Sequence, residues 1–321
     1  MQQVHPHWGA EALWQQLEPL LPGLSVEVLA RAESTNTLLL DRARALAGAP
    51  DALITRPGEL DNAGPAPAEP TPLGRRGADV QPCLLVAEKQ SRGRGRLGRD
   101  WVSSAGASLT FSLALPLAPA DWSGLSLAVG LALVEALDPQ PDPQPDLHSD
   151  PQPEAGAAPR LMLKWPNDLW LVDSPPVPGR GRKLGGILIE TVTVGQRRMC
   201  VVGVGLNVLP QTVPDLPQGY ACLQEILPEI SAPAALARVA EALVRALLQF
   251  QAEGFAPLAA AYAQRDLLLG QQVSTTLAAV PAGVAEGVDA RGALLVRCGD
   301  VHSVVSGEVS VRLDGPGVGS A

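Results

Sequence analysis

One short segment of the chain combines dense positive charge with a flexible backbone. Residues 92–99 read RGRGRLGR, so that four arginines and three glycines fall within eight positions. Glycine lets backbone N–H groups approach a ligand closely, and arginine binds carboxylates and phosphates through paired hydrogen bonds. We interpret this Arg/Gly loop as a candidate anion-binding site. A solvated loop, a basic RNA-binding tract and a protease-sensitive linker are the alternatives that these residue types leave open.

Two other segments place a lysine beside residues that favour turns. Residues 164–169 read KWPNDL, which brings an ammonium, an amide and a carboxylate to one corner, although a structural Asx turn would use the same residues. Residues 183–190 read KLGGILIE, in which Lys183 precedes two glycines at the predicted start of a strand. A flat ligand could lie on that Gly-Gly backbone with its negative end near the ammonium, and a β-bulge is the alternative.

The distribution of basic residues points to the same segments. Only three of the 24 basic residues are lysines, namely Lys89, Lys164 and Lys183. Lysine is a compact, mobile point charge and arginine is a planar fork, so that the two are not interchangeable. The retention of lysine at these positions indicates a chemical requirement, with chance as the alternative.

Composition excludes several classes of protein. The chain has 321 residues, of which 46% are apolar and 18% charged, and its formal net charge is −9. That charge argues against nucleic-acid binding through bulk electrostatics. No apolar run reaches the roughly 18–20 residues of a membrane span, and no signal peptide is recognisable. The glycines in VVGVGLN (201–207) lack the strand–GxGxxG–helix context of a dinucleotide fold, so we reject that interpretation.

The four cysteines are far apart in the sequence and form no CxxC pair. We therefore expect neither structural zinc nor a disulfide framework, predict no protein-held metal, and favour a cytoplasmic location.

Periodicity and turn residues predict the elements that must position these segments. Helices are predicted at 9–21, 34–46, 125–137, 232–252 and 254–269, and strands at 25–30, 84–88, 108–115, 160–165, 187–194 and 199–207. Five further short strands are predicted at 271–277, 283–289, 293–298, 301–305 and 307–313. The pattern indicates a large α+β domain, residues 1–268, followed by a small all-β domain, residues 269–321.

Two Pro-rich stretches interrupt the large domain. Residues 56–82 and 138–159 have the composition of loop insertions, and the second is acidic and of low complexity. Only about 24 residues precede the first predicted strand, which is too few for a helix-turn-helix domain, so we expect no DNA-binding module.

In this order the segments resemble those of biotin–protein ligases, which attach biotin to the carrier domain of biotin-dependent carboxylases. The resemblance covers roughly residues 25–315. It is carried by ESTN at 33–36, Gln90, the Arg/Gly loop, Trp101, KWPNDL, KLGGILIE, Gly203, Gly205 and Asn207. It implies a mixed-sheet catalytic domain related to class II aminoacyl-tRNA synthetases, with a small C-terminal SH3-like β-barrel.

The resemblance also implies a two-step reaction and a role for each matching residue. Biotin and ATP would form biotinyl-5′-AMP, with Mg²⁺ carried on the nucleotide, and biotin would then pass to a lysine of the biotin carboxyl carrier protein of acetyl-CoA carboxylase. The residues implied to bind biotin are Ser34, Thr35, Asn36, Gln90, Arg94, Gly95, Arg96, Lys183 and Gly185. Those implied on the ATP side are Arg99, Trp101, Lys164, Asn167 and Asn207. The implied catalytic residues are Arg96, Lys183 and Asp168, the last orienting or deprotonating the incoming amine.

Other functions stay open at this stage. A lipoate–protein ligase or octanoyltransferase has a related fold and also modifies a carrier lysine. A nucleic-acid-binding protein could use the Arg/Gly loop as an arm, and a pseudoenzyme could store biotin without reacting it. We expect neither a DNA nor a membrane partner, and a homodimer is among the open oligomeric states.

Overall fold

The computed structural model describes residues 6–47, 54–55, 81–140, 158–175, 177, 179–211, 219–305 and 311–313. Both predicted insertions lie almost entirely outside the described residues. None of the described helices combines the length and the apolar character that a membrane crossing requires.

The helices and strands follow the predicted order. The helices are α1 (Ala10–Leu17), α2 (Thr35–Ala47), α3 (Leu125–Leu137), α4 (Ala232–Glu253) and α5 (Ala259–Ala263). The strands of the first part are β1 (Ser25–Leu29), β2 (Ile54–Thr55), β3 (Cys83–Ala87), β4 (Gly93–Arg94), β5 (Asp100–Trp101), β6 (Ser108–Pro116), β7 (Leu161–Lys164), β8 (Asp168–Leu171), β9 (Arg182–Val194) and β10 (Arg197–Asn207). Those of the last part are β11 (Gln272–Thr275), β12 (Ala282–Val288), β13 (Leu294–Cys298), β14 (Asp300–Val304) and β15 (Val311–Leu313).

The large sheet is mixed and has helices on both faces. Its strand order is β1-β3-β6-β10-β9-β8-β7, with β2 paired to β9. The β1–β3 pair is parallel and the other neighbours are antiparallel. Because side chains alternate along a strand, Leu84 and Val86 of β3 pack with α3 and α4, whereas Cys83 and Leu85 pack with α2 on the other face. Strands buried on both faces explain the continuous apolar runs in the sequence.

The C-terminal strands form a second sheet that is wholly antiparallel, in the order β14-β13-β12-β11-β15. This part packs against the first through the turn that joins β12 to β13. Trp165 donates its indole N–H to the carbonyl of Gly292 over 3.1 Å, and Arg291 donates to Asp121 over 2.8 Å. Trp165 and the next residue, Pro166, both line the cavity described below. The packing of the two sheets therefore bears directly on the site.

Three sequence predictions differ from the structure. The strand predicted to begin near residue 187 begins at Arg182, so that Lys183 and the two glycines after it lie inside β9 and pair with β8. Residues 168–171 form strand β8, where only a corner was predicted, because they add to the edge of β9. The helix predicted at 254–269 is reduced to a short 3-10 turn and the five-residue α5. Tertiary pairing overrides local propensity in the first two cases.

Gly292 lies where the two sheets meet and has no room for a side chain. Its φ is +79°, and an added Cβ would lie 2.7 Å from Cα of Gly124. Replacing Gly292 with Ala therefore combines left-handed strain with overpacking, and we expect it to lower the free energy of unfolding by about 2–4 kcal/mol. Gly299 is the matched control, since its φ is +75° with no atom within 4 Å of the added Cβ. We expect Gly299→Ala to cost about 1 kcal/mol in urea denaturation, and equal losses in the two variants would contradict the packing argument.

A buried carboxyl group lies in the segment that leads to the second sheet. Asp266 is 5% exposed, accepts the N–H of Leu268 through Oδ1, and has no hydrogen-bond partner for Oδ2 among the described residues. Burial raises the pKa of Asp266 from 3.8 to about 6, and burial also raises the pKa of its neighbour Tyr262. The charged form of Asp266 therefore opposes folding at neutral pH.

The pH dependence follows from the raised pKa of Asp266. A group with a raised pKa in the folded state favours folding below its unfolded value, and this contribution is lost as pH rises through 6. Asp266→Asn keeps the bond to Leu268 and removes the charge. We expect the variant to be more stable than the parent protein by about 1–3 kcal/mol at pH 7.5, with the difference vanishing near pH 4. Denaturant unfolding at the two pH values measures it, and a pH-independent difference would show that Asp266 does not titrate as described.

Candidate active site

A cavity of about 960 Å³ lies between the first turn of α2, the Arg/Gly loop, β9, β10 and strand β15 of the second sheet. It gathers fourteen of the fifteen residues that the sequence predicted for the site. Those fourteen are Ser34, Thr35, Asn36, Gln90, Arg94, Gly95, Arg96, Arg99, Trp101, Lys164, Asn167, Asp168, Lys183 and Asn207. Segments more than 170 positions apart in the sequence thus meet in one place.

Gly185 is the predicted residue that does not line the cavity. An added Cβ at Gly185 would lie 2.6 Å from the carbonyl oxygen of Gly205, so this glycine allows close contact between β9 and β10. Its neighbour Gly186 lines the cavity, and an added Cβ there would meet only ordinary contacts, the nearest at 3.5 Å. The side chains of a strand alternate between its two faces, which accounts for the difference between adjacent glycines.

The Arg/Gly loop is a β-hairpin that stands over the cavity. Strand β4 at the start of the loop pairs with β5, which directly follows the loop, and the N–H of Gly95 donates to the carbonyl of Arg99 over 2.7 Å. The hairpin reverses at Leu97 and Gly98, whose φ angles are +57° and +69°. The left-handed conformation of Leu97 costs about 1 kcal/mol. This tight reversal directs the flanking arginines, Arg96 and Arg99, to the cavity.

Uncharged polar groups line the end of the cavity near α2. Thr35 donates its backbone N–H to Oε1 of Gln90 over 2.7 Å. Asn36 donates its amide to the carbonyl of Leu188 and to the carboxylate of Glu190, each over 3.1 Å, which fixes the amide orientation. Its Oδ1 must then accept the 2.6 Å bond from the Ser112 hydroxyl. The Ser112 hydroxyl also lies 2.7 Å from the Thr35 hydroxyl, which in turn lies 3.1 Å from Oε1 of Gln90.

Two glycines of β10 make room for site side chains. An added Cβ at Gly203 would overlap the amide of Asn36, and one at Gly205 would lie 2.5–2.8 Å from three ring atoms of Trp101. Gly203, Gly205 and Asn207 share one face of β10 because they are two residues apart. This spacing gives a physical reason for the Gly-x-Gly-x-Asn pattern at 203–207.

The KWPND corner, residues 164–168, links the Arg/Gly loop to β9. Arg96 donates to Oδ1 of Asn167 over 3.3 Å, and Asn167 donates its amide to the carbonyl of Ile187 over 2.8 Å. Lys183 forms a 2.7 Å ion pair with Asp168, in which both side chains are largely buried. Two predicted catalytic residues are therefore in direct contact.

The far end of the cavity carries excess positive charge. Lys164 is 5% exposed, and its Nζ lies 5.0 Å from the ring centroid of Trp170. Burial lowers the pKa of Lys164, with Lys183, Arg99 and Arg312 adding repulsion and Asp168 opposing the shift. Seven basic and two acidic side chains line the whole cavity, although the chain carries a net charge of −9. Such a centre is suited to a polyanion.

Three residues at the site were missed by the sequence analysis. Arg312 and Tyr220 line the cavity, and Ser112 contacts the lining residues Thr35 and Asn36. Ser112 lies two positions from Thr110 on the same face of β6, but an isolated serine in an apolar strand carries no signal. Arg312 reaches the cavity from β15 in the second sheet, a placement that no local pattern predicts. Tyr220 lies beside Lys183 through a bridge between separate segments and donates its hydroxyl to the carbonyl of Leu209 over 2.7 Å.

The cavity has few side chains that could bind a metal ion. Among the described residues no three His, Cys, Asp or Glu side chains are grouped closely enough to hold an ion. The cavity is lined by two carboxylates, Asp100 and Asp168, and the second is paired with Lys183.

Comparison with known proteins agrees with this architecture. A family model described as the biotin/lipoate A/B protein ligase family matches residues 80–207. A second, described as the biotin protein ligase C-terminal domain, matches residues 268–312. The fold and site thus define a carrier-protein ligase of the biotin and lipoate class.

Individual relatives narrow this class. The bifunctional ligase/repressor BirA of Escherichia coli is 31% identical over 305 residues, which span 93% of this chain and 77% of the relative. A biotin–[acetyl-CoA-carboxylase] ligase of Mycobacterium tuberculosis is 33% identical over 248 residues, spanning 74% and 81% of the two chains. A structure of the biotin protein ligase of Aquifex aeolicus in complex with biotin and ATP shares the fold, with a TM-score of 0.60, 22% identity, and coverage of 90% and 99%. The chain belongs to the biotin protein ligase family.

The contact between Gly205 and Trp101 can be tested directly. Gly205→Ala places a methyl group within 2.8 Å of the indole, so we expect the Trp101 ring to leave β10. The near-UV circular dichroism of Trp101 should then change, with Trp101→Phe identifying its share of the signal among the six tryptophans. A Gly205→Ala spectrum that matches the parent protein would contradict the described position of the ring.

Proposed function

We propose that this protein is an ATP-dependent biotin–protein ligase that forms biotinyl-5′-AMP and transfers biotin to a lysine of a biotin carboxyl carrier protein. The observation that carries the proposal is one cavity with an uncharged polar end and a strongly cationic end. A ureido ring can bind at the first, and a carboxylate and a triphosphate can meet at the second. The name of the Mycobacterium tuberculosis relative and the biotin and ATP bound in the Aquifex aeolicus structure support the same substrates, and the carrier of acetyl-CoA carboxylase is the expected acceptor.

In the first step a carboxylate oxygen of biotin attacks the α-phosphorus of ATP. A new P–O bond forms, the bond to the β-phosphate oxygen breaks, and pyrophosphate leaves. The reacting groups repel each other as anions, so fixed positive charge must offset the repulsion. Arg96 and Lys183 are suited to the carboxylate and α-phosphate, and Arg99, Lys164 and Arg312 to the remaining phosphates. Mg²⁺ carried on the nucleotide would neutralise charge on the departing pyrophosphate.

In the second step the amine of a carrier lysine attacks the anhydride carbonyl. The C–N bond forms, the C–O bond to AMP breaks, and the amine loses a proton. When Lys183 turns towards the ligand anion, it releases the carboxylate of Asp168, which can then orient the amine or accept that proton. Gly185 contributes by close packing of β9 on β10. The other proposed binding residues are, at the uncharged end and in the Arg/Gly loop, Ser34, Thr35, Asn36, Gln90 and Gly95, and, at the ATP side, Trp101, Asn167 and Asn207.

Two rival functions are less compatible with the site. The family that matches residues 80–207 includes lipoate enzymes, but the match of residues 268–312 is to a domain of biotin protein ligases. A nucleic-acid-binding arm would need a free basic segment, whereas the Arg/Gly loop is a hairpin whose Arg96 bonds to Asn167.

Finer features stay part of the proposal. The β-rich composition of 269–321 supports an SH3-like domain, and the mixed sheet of 1–268 supports a class II aminoacyl-tRNA synthetase-like one. We also predict a cytoplasmic location and no DNA partner. A homodimer is among the alternatives for the oligomeric state.

Pyrophosphate exchange tests the first step. With Mg²⁺, ATP and biotin the protein should exchange pyrophosphate into ATP, and lipoate should not replace biotin. We expect Arg96→Ala and Lys183→Ala each to lower the exchange rate by about 100-fold, because each removes charge from the reacting groups. Exposed Arg297 and Lys89 provide matched Ala controls, which should leave exchange within about twofold. Full activity in both site variants, with unchanged folding, would show that the site is wrongly assigned.

A further inference from the structure

Arg94 does not direct its charge to the cationic end of the cavity. Its guanidinium donates to Oε1 of Glu190 over 3.2 Å and to the hydroxyl of Thr37 over 3.3 Å. The Glu190 side chain is 1% exposed, whereas that of Arg94 is 38% exposed. The resemblance implies that Arg94 closes over an anion of the substrate. In the structure this arginine lines the cavity and is paired with a carboxylate of the protein.

Glu190 also contacts the opposite wall of the cavity. Its second oxygen accepts the amide of Asn36 over 3.1 Å. Asn36 and Thr37 belong to the first turn of α2, and Arg94 belongs to strand β4 of the Arg/Gly loop. One carboxylate on β9 is thus hydrogen-bonded to the two elements that flank the uncharged end of the cavity.

Because Glu190 is buried, its carboxylate depends on the positions of its hydrogen-bond partners. A carboxylate removed from water is tolerated only when charged or hydrogen-bonding partners replace the solvent. Arg94 and Asn36 each supply one such bond, so the carboxylate loses a partner if either residue leaves its position. The bond from Thr35 to Gln90 also joins the first turn of α2 to the segment just before the Arg/Gly loop.

We propose that Glu190 is a positioning residue for biotin binding, which holds strand β4 of the Arg/Gly loop against the first turn of α2 around the ureido head. This inference rests on the proposed function. The carboxylate touches no reacting atom. It neutralises Arg94, so that Arg96, Lys183 and the other cations of the cavity bind the substrate anions.

Glu190→Gln separates this role from direct anion binding by Arg94. If Arg94 binds the substrate anion, removing its competing carboxylate should leave biotin use unchanged or improve it. If Glu190 positions the pocket, the biotin KM in pyrophosphate exchange should rise by about tenfold or more, while kcat at saturating biotin and the ATP KM change less than about threefold. Arg94→Met should raise the biotin KM similarly, and the double variant should be no worse than either single variant, because all three lack the same ion pair.

The pair Glu27 and Arg42 is the matched control. Arg42 of α2 donates to both oxygens of Glu27 on β1 over 2.9 Å, and neither residue lines the cavity. Glu27→Gln should leave the biotin KM within about twofold, even where it lowers the melting temperature as much as Glu190→Gln does. If Glu190→Gln does not fold, Glu190→Asp, which keeps the charge but shortens the reach to Arg94 and Asn36, decides the question: a raised biotin KM supports the positioning role, and a biotin KM within twofold of the parent value overturns it.

The outcomes are distinguishable from failure of the proposed function. Exchange by the parent protein that does not depend on biotin would overturn the function itself. Biotin-dependent exchange in the parent, with a biotin KM for folded Glu190→Gln within twofold of the parent value, would overturn only the positioning role. Additive effects of the Glu190 and Arg94 variants would overturn it as well.

Discussion

The site has to bring two anions into bonding distance inside a protein that is itself acidic. The repulsion between a carboxylate and a triphosphate is offset only where cations are concentrated and kept partly out of water. Such a concentration of charge is costly without ligand. The fold manages that cost with internal partners: Asp168 for Lys183, Glu190 for Arg94, and the Trp170 ring for Lys164. In the proposed reaction a substrate anion replaces Asp168 as the partner of Lys183, whereas Arg94 keeps Glu190.

The β9–β10 pair is the framework on which this charge is arranged. Lys183, Gly186 and Glu190 lie on β9, and Gly203, Gly205 and Asn207 lie on β10. Both strands are almost fully buried, which makes them a rigid base for side chains at fixed spacing. Glycines, which have no side chain, are as important in this pair of strands as the residues that contact the cavity. Without the two β10 glycines, neither Asn36 nor Trp101 could lie against the sheet.

The sequence predicts those parts of the site that depend on local chemistry. Hydrophobic runs locate the buried strands, and clusters of Arg, Gly, Lys and Asn identify the segments that meet in the cavity. It does not predict which atoms face each other. Arg94 and Arg96 are two residues apart with the same side chain, yet one pairs with Glu190 and the other reaches Asn167. That difference depends on the direction of a hairpin, and the reach of Arg312 depends on how two sheets pack. Both are set by contacts distant in sequence.

The distribution of lysine gains a physical explanation from the same contacts. Lys164 and Lys183 line the cavity. There a compact ammonium can lie over an indole ring, or move from a carboxylate to a ligand, without breaking the two parallel hydrogen bonds that a guanidinium forms with a carboxylate. Lys89 is exposed and does not line the cavity, so its retention has no explanation in the site. Arg94 is paired with Glu190, whereas Arg96, Arg99 and Arg312 line the cavity together with the two lysines. Both kinds of cation therefore face the ligand, and the lysines are those held by an indole ring or by a single carboxylate oxygen.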